Sequence, residues 1–563
     1  MVELSKLKHI TRIGLKLLRA KPGIIEGLVY ASANRRSVSR LVYTSHIPCN
    51  GLEEPKSDED LGISVEVWIN KNGRRLVGIG HEPNDLSLSA VKKALAKAVR
   101  DAVADPDFQG FYKPTSFAPN KLAKLTNLRV RLLPPEATPS AARGLPGAIA
   151  MGDGERANFA NKLMGAKPAV NLTDSQEAKL LSKMGWDTIA GALDGLKPYL
   201  ENHKLSPAAA AFILNGDNFI LRERMALATT NGVADSDEST VILSFITAML
   251  ETQNAKGSAW GALGLGGDLS GYDTGRRAAL AAINNVGGVR VKTGSYNVVF
   301  GPQAVTELFG NLLLPNLNLG LVDFGASIFT GKYGQTVASP LLTLIDDATI
   351  PGGAGSKRVT CEGCPTGKTI LIDQGKLVGF LADSRTANKV LAKSQDAAAK
   401  IGVDPHEIRH AISPRNGFRF WEGGGRVAAG PVGIHATNLI IESPRPKTED
   451  ELLSSVKNGL YIGRLWYTYP VGGLSTGIIS GTAIADCYTI KDGKLSQPIL
   501  PNTLRLEDNL NQMIKNIVGI GSNQVPTILW ASDEITHAPW VAITNVNFRQ
   551  INHSPHLKNL PRI

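Results

Sequence analysis

Hydrophobic residues recur along the chain at spacings that predict alternating helices and strands. In the first 20 residues the apolar positions from Leu4 to Leu18 follow helical spacing, which predicts a first helix that buries this stripe against its own domain. Serines followed by an apolar period of about 3.6 residues predict a second helix over 85–104. The alternating residues at 61–69 predict a strand that turns back into 74–80.

The middle of the chain and its second half differ in pattern. A further helix is predicted over 173–203, beginning after Thr173 or Asp174. A strand that ends at Asn231 and Gly232, followed by the apolar run at 239–250, predicts a hairpin. From about residue 290, brief β-branched runs recur between Gly, Asp and Asn turns, with short helices expected near 303–314, 384–400, 448–458 and 506–517.

These elements predict two folded regions and a tail. The fold class that we expect is an α/β N-terminal domain followed by a β-rich α+β C-terminal domain. The expected divisions are 1–235 with an insertion at about 130–175, then 236–525, and finally C-terminal strands and a tail at 526–563.

Composition narrows the class of protein. The 563 residues carry a formal net charge of +11, which permits nucleic-acid binding, but the basic residues are scattered and lack interleaved aromatic residues. Four cysteines in so long a chain favour a reducing compartment over a disulfide framework. No apolar run is long enough to cross a membrane, so we expect a cytoplasmic protein.

The stretch DPHEIRH, which begins at Asp404, carries the zinc-protease spacing H-E-x-x-H. On an α-helix, His406 and His410 would lie one turn apart and could hold zinc, with Glu407 as general base on the metal-bound water. The same stretch suits a helix N-terminus, because Asp404 is a good N-cap, Pro405 fits the first position and Glu407 completes a capping box. Both interpretations stay open on the residues alone.

The second half of the chain resembles a known family. The stretches YNVVFGPQAVTELF, TCEGCPTGKTILIDQGKLVGFLADSRTA and GTAIADCYTIKDGKLSQPI occur in order after residue 295. Together they resemble the C-terminal region of the TldD/PmbA (TldE) proteins, which are metallopeptidase-related. In the first half, DLGISVEVWINKNGRRLVGIG and RERMALATTNGV resemble the N-terminal region of the same family.

The resemblance implies heterodimers in which TldD-type subunits carry zinc on an H-E-x-x-x-H motif and TldE-type subunits do not. Counted forward from VVFGP at 298–302, the matching residues run from Gly310 through Asn311 to Pro315 and contain no metal ligand. The family's third ligand, a cysteine, would fall near TILWASDE at 527–534, where this chain has none. The resemblance also places HEIRH in an insertion.

The expected function is therefore that of a TldE-like subunit without zinc, in a TldD/TldE-type metalloprotease complex that acts on unfolded polypeptides or peptides. The expected partner is a zinc-bearing TldD-like subunit, with a homodimer as the alternative. Two further functions stay open: an autonomous zinc peptidase using His406, Glu407 and His410, and a non-enzymatic nucleic-acid or protein-binding factor. By motif position, the candidates for a substrate chamber are Asp346, Asp347, Glu362, Gly363, Asn416 and Arg419.

Overall fold

The structure is a computed structural model that describes residues 1–71, 73–114, 173–263, 269–421 and 423–551. Nearly all of the expected insertion at 130–175, and the last part of the expected tail from residue 552, lie outside the described residues.

The N-terminal region is built on one antiparallel sheet. Its strands lie in the order β4-β3-β1-β5-β6-β7, and the short β2 pairs with β1. Their bounds are β1 (Ile24–Thr44), β2 (Gly51–Leu52), β3 (Lys56–Lys71), β4 (Arg74–Pro83), β5 (Phe212–Thr229), β6 (Ala234–Leu250) and β7 (Ala255–Leu263).

Four helices cover the hydrophobic positions of this sheet: Leu4–Ala20, Leu88–Arg100, Asp174–His203 and Gly271–Asn284. The first three confirm the helices predicted from hydrophobic spacing, and Thr173 forms a capping box with Gln176. The helix Leu88–Arg100 lies so close to β4 that a Cβ at Gly80 would be 1.9 Å from the carbonyl oxygen of Ala94. Glycine is therefore needed at that contact.

The predicted hairpin at Asn231 and Gly232 is confirmed, since β5 and β6 pair along their whole length from Phe212 opposite Leu250 to Ala228 opposite Ala234. The division expected between 235 and 236 cuts through this hairpin. Because β6 and β7 hydrogen-bond to the same sheet, that sheet continues to Leu263.

The C-terminal region contains two larger sheets. In the first, β8, β17, β18, β20 and β24 close into a ring, because β17 pairs with both β8 and β18. Two further strands join this barrel, β19 beside β18 and β21 beside β24. Their bounds are β8 (Gly294–Phe300), β17 (Gly459–Pro470), β18 (Ile478–Lys491), β19 (Lys494–Pro498), β20 (Leu504–Asn509), β21 (Ile517–Ile520) and β24 (Val541–Gln550).

The second sheet has the order β11-β10-β9-β16-β23-β22. Its strands are β9 (Thr343–Asp347), β10 (Lys368–Asp373), β11 (Lys376–Leu377), β16 (Asn438–Glu442), β22 (Val525–Thr527) and β23 (Ile535–Ala538). Two small pairs join β12 (Phe380–Leu381) to β13 (Ile412–Ser413) and β14 (Gly417–Phe418) to β15 (Gly433–Ile434).

Short helices connect these strands: Pro302–Thr306, Leu319–Phe324, Ser384–Ala392, Ser394–Ile401, Glu449–Val456 and Leu510–Lys515. One hydrophobic core fills the barrel and extends under the second sheet, from Phe300 through Leu344 to Phe548. The expected fold class, a mixed N-terminal region followed by a β-rich region, is confirmed. In the described ranges, no helix is long and apolar enough to cross a bilayer.

Candidate active-site cleft

A cleft of about 490 Å³ opens where the barrel, the second sheet and the segment after β14 meet. We call it the aromatic cleft, because several of its lining residues carry large rings. The lining residues are Glu307, Asn311, Phe420, His435, Trp466, Tyr467, Thr468, Leu529, Trp530, Ala531, Ser532, Asp533 and Glu534. Concave surfaces of this size with apolar walls and a few polar groups are typical ligand sites.

One wall of the cleft comes from a π-helical segment, Glu307–Leu313, which continues the helix Pro302–Thr306. At its end the N–H of Leu314 bonds to the carbonyl oxygen of Phe309, five residues earlier. Such i to i+5 turns are rare and occur often at functional sites.

A second wall comes from β17, which bulges beside the π-helical segment. Trp466 pairs with Thr482 and Tyr469 with Ser480, so β17 has one residue more than β18 between these pairs. Tyr467 lies in the bulge with φ of +50° and is 76% exposed. Bulges redirect side chains next to active sites, and this one turns Tyr467 and Thr468 toward the cleft.

The third wall is the loop 528–534 between β22 and β23. Its Asp533 carboxylate accepts hydrogen bonds from the N–H of Gly423 at 3.1 Å and of Gly425 at 2.8 Å. These bonds join the loop to the segment that carries Phe420. Trp530 projects from the same loop and is 70% exposed.

Three carboxyl groups lie in the cleft, and burial raises the pKa of each. The pKa of Asp533 rises to about 7 through burial, with the Glu223 and Glu534 charges adding to the rise. Burial also raises the pKa of Glu534 and of Glu307, although Thr468 and Gln303 donate hydrogen bonds to Glu307. No Lys or Arg of the described part of the chain forms a salt bridge with any of these three groups.

The segment 310–315, which the resemblance aligns with the family's zinc motif, reaches this cleft through Asn311. Asn311 lines it and donates hydrogen bonds to the Thr468 carbonyl at 3.0 Å and hydroxyl at 2.8 Å. A Cβ at Gly310 would lie 3.4 Å from Leu529, so the segments 310–315 and 527–534 do meet. Gly310, Asn311 and Pro315 offer no group that binds zinc. Nowhere in the described ranges do three His, Cys, Asp or Glu side chains gather closely enough to share a metal ion.

The substrate-chamber candidates lie outside the cleft lining. Asp346 is buried and accepts hydrogen bonds from Asn416 at 2.6 Å and from Thr437 at 2.7 and 2.9 Å. Burial raises the pKa of Asp346 to about 6 in spite of these bonds. Asn416 also donates to the carbonyl of His435 at 2.9 Å and so positions a residue that does line the cleft. Asp347 accepts from Thr349 and stabilises a turn.

Glu362 and Gly363 form a tight turn beside this cluster. Glu362 is 8% exposed and accepts hydrogen bonds from the Ser384 N–H at 2.7 Å and hydroxyl at 2.6 Å. Burial, and then the neighbouring Asp383, raise the pKa of Glu362. Gly363 has φ of +89°, which suits glycine in the turn. Arg419, 1% exposed, forms a salt bridge with Glu66 of β3 and so holds the two regions together.

The prediction of a helix with a capping box at HEIRH is wrong. The Asp404 carboxylate accepts from the N–H of His406 at 2.8 Å, an Asx turn, and only a single 3₁₀ turn follows at Ile408–His410. Without an α-helix, His406 and His410 do not share a helix face in the way that the zinc interpretation needs. Glu407 and His410 are exposed and 3.8 Å apart.

Sequence reasoning identified the segments 310–315 and 527–534 but missed the cleft that they build. The residues that it missed are Glu307, Phe420, His435, Trp466, Tyr467, Thr468, Trp530, Asp533 and Glu534. The aromatic run LWYTYP at 465–470 was the available signal, since a strand with consecutive Trp and Tyr residues leaves rings on both of its faces.

Comparisons with known proteins agree with this architecture. A family model described as the PmbA/TldA metallopeptidase C-terminal domain matches residues 293–550. A metalloprotease of Methanothermobacter thermautotrophicus is 27% identical over 45% of this chain and 48% of its own length. A metalloprotease TldD homolog of Haemophilus influenzae is 26% identical over 54% of this chain and 58% of its own length. The chain thus spans about half the length of these curated relatives.

Among solved structures, TldE from Thermococcus kodakarensis superimposes with a TM-score of 0.66 at 16% identity, covering 97% of this chain and 100% of that chain. This likeness shows a shared fold. The C-terminal match and the curated relatives confirm the resemblance to the TldD/PmbA family, and residues 293–550 belong to its C-terminal domain family.

Proposed function

We propose that this chain is a TldE-like subunit without zinc, which acts with a TldD-like metalloprotease subunit on unfolded polypeptides or peptides. The observation that carries the proposal is the aromatic cleft, because Asn311 lines it and belongs to the segment 310–315, which the resemblance aligns with the family's zinc motif. The π-helical segment holds Gly310 close to Leu529 of the loop 528–534, but the side chains of 310–315 include no zinc ligand.

In this proposal the chain binds and orients polypeptide, and hydrolysis belongs to the partner. A zinc site in the TldD-like subunit would supply the activated water. The described cleft supplies rings, carboxylates and the Asn311 amide, which suit binding.

The test is reconstitution with the TldD-like protein of the same genome. Each chain is purified alone and after co-expression, its zinc is counted by mass spectrometry, and hydrolysis of an unfolded protein is measured. We expect this chain alone to hold no stoichiometric zinc and to hydrolyse nothing, while the co-purified complex is active.

One equivalent of zinc in this chain alone, with hydrolysis lost in His406→Ala and in His410→Ala, would instead support the autonomous peptidase. Failure of the two chains to associate at micromolar concentration would contradict the heterodimer.

A further inference from the structure

The walls of the aromatic cleft expose aromatic rings, which can stack on a flat chemical group. Tyr467 and Trp530 leave 76% and 70% of their surface exposed. The rings of Trp466 and Tyr467 are nearly perpendicular, at 85° with centroids 6.1 Å apart, so they offer faces in two directions. Exposed aromatic rings grouped at a concavity indicate a binding site rather than ordinary surface.

The charge of the cleft is opposite to that of the chain. The whole sequence carries a net charge of +11, whereas the ionisable lining residues are Glu307, Asp533, Glu534, His435 and Tyr467. Burial lowers the pKa of His435, which keeps its ring neutral near pH 7. Among the described residues, no Lys or Arg lines the cleft.

Two cations lie beside rings of the cleft, Lys357 at 5.9 Å from the ring centroid of Phe420 and Arg464 beside Trp466, and both already have partners within the protein. Lys357 forms a salt bridge with the buried Glu223 at 2.9 Å. Arg464 donates a hydrogen bond to Thr247 at 3.0 Å and another to Ser258. Neither side chain lines the cleft.

A guanidinium group can contact both the aromatic rings and the carboxylates of the cleft. It is planar, stacks on aromatic rings, remains charged at any ordinary pH and pairs with carboxylates through two parallel hydrogen bonds. The molecule uses the same contact internally, since the Arg464 guanidinium lies 5.4 Å from the ring centroid of Trp466 and 4.7 Å from that of Phe245. The volume of about 490 Å³ leaves room for the flanking peptide.

We propose that the aromatic cleft binds an arginine side chain of an unfolded polypeptide, between the rings of Trp466, Tyr467 and Trp530 and the carboxylates of Asp533 and Glu534. Calling that polypeptide a substrate rests on the proposed function. Binding itself needs neither a partner nor zinc, so the two proposals can fail separately.

The test measures binding of short peptides to the full chain alone. The probe is an unstructured peptide, acetylated and amidated at its ends, with one central arginine, and its matched control has citrulline there. Citrulline has nearly the shape of arginine without the charge. We expect the citrulline peptide to bind at least about tenfold more weakly, because its charge-assisted hydrogen bonds are lost.

Variants then locate the site. Glu534→Gln should weaken binding of the arginine peptide several-fold and leave the citrulline peptide unchanged, whereas Trp530→Ala should weaken binding of both peptides. Trp186→Ala is the matched control, because Trp186 is 53% exposed on the helix Asp174–His203, outside the cleft lining. Circular dichroism of each variant checks that it is folded.

Two outcomes would overturn the proposal. Equal affinity for the arginine and citrulline peptides would remove the role of charge. Binding that requires a free N-terminal amine, and that disappears on acetylation, would assign the cleft to peptide N-termini. Equal affinity of acetylated and free-amine arginine peptides is the result expected.

Discussion

Two groups of carboxylates in this molecule differ in whether they form salt bridges with buried cations. At the junction of the N-terminal sheet and the C-terminal region, Glu223 and Asp237 pair with the fully buried Arg426 at 3.1 and 2.9 Å. In the aromatic cleft, Asp533 and Glu534 form no salt bridge with a described Lys or Arg. The first group is neutralised by buried cations, whereas the second lines a cavity and has no ion-pair partner among the described residues.

The pKa values record this difference. Burial alone would raise the pKa of Glu223, but Arg426 and Lys357 hold it well below its ordinary value. Burial raises the pKa of Asp533 to about 7, although the hydrogen bond from Gly425 and the charge of Lys357, which forms no salt bridge with Asp533, lower it. A carboxylate whose charge is left uncompensated beside a cavity is a better functional candidate than one that is neutralised in a core.

The largest effect is expected at the junction. Arg426→Met leaves Glu223 and Asp237 without the Arg426 cation, so the free energy of unfolding should fall by about 3–5 kcal/mol. Urea denaturation measures it. Arg505→Met is the control, because the Arg505 to Glu507 pair is exposed and 3.8 Å long, and its loss should cost less than about 1 kcal/mol. Similar small losses in both variants would break the comparison.

The next largest effect is a pH dependence at Asp346. Its folded pKa of about 6 lies above the ordinary value of 3.8, so its contribution to stability is present below about pH 4 and is lost as pH rises through about 6. Urea denaturation at a series of pH values measures how the free energy of unfolding changes with pH. In Asp346→Asn this change should be smaller than in the unmodified protein by up to about 3 kcal/mol, whether the variant is more or less stable overall. Asp58→Asn is the control, because the Asp58 side chain is 77% exposed, and it should leave the pH dependence of the free energy of unfolding unchanged.

A smaller effect is expected from steric crowding at Gly417. A Cβ there would lie 2.1 Å from the Glu362 carboxylate, so Gly417→Ala should destabilise the protein by about 1–3 kcal/mol. Gly430→Ala is the matched control, because the nearest atom to its Cβ is 3.7 Å away. Thermal unfolding compares the two. Equal melting temperatures would show that the turn at Glu362 is less tightly held than the structure indicates.

The smallest effect concerns HEIRH, which belongs to neither group of carboxylates. His406→Ala and His410→Ala should change stability by less than about 0.5 kcal/mol and leave the zinc content of the chain unchanged, because both side chains are exposed in a short turn. Mass spectrometry under native conditions counts the metal. Loss of a bound equivalent in either variant would restore the zinc interpretation.

Local patterns in the sequence predicted much of the fold. The helix Leu88–Arg100 and the hairpin of β5 and β6 depend on capping residues, helical spacing and an Asn-Gly turn, all of which are visible over short stretches. The helix prediction at HEIRH also relied on a short local pattern, and it was wrong. Asp404 can cap a helix or close an Asx turn, and tertiary packing decides between the two.

The cleft could not be predicted in the same way. Thr468 meets Glu307 across 161 residues, and Gly423 meets Asp533 across 110, so no local pattern carries these contacts. The resemblance supplied the two segments 310–315 and 527–534. It also proposed Glu362, Asn416 and Arg419, which the structure places in buried networks that support the cleft or join the two regions.

Hydrogen exchange with and without the arginine peptide tests the central claim most directly, since it shows which backbone amides the peptide protects. The account predicts protection of 466–468 and 529–534, the walls of the aromatic cleft. Protection confined to the turn at 404–410, or no protection of either cleft wall at saturating peptide, would contradict it.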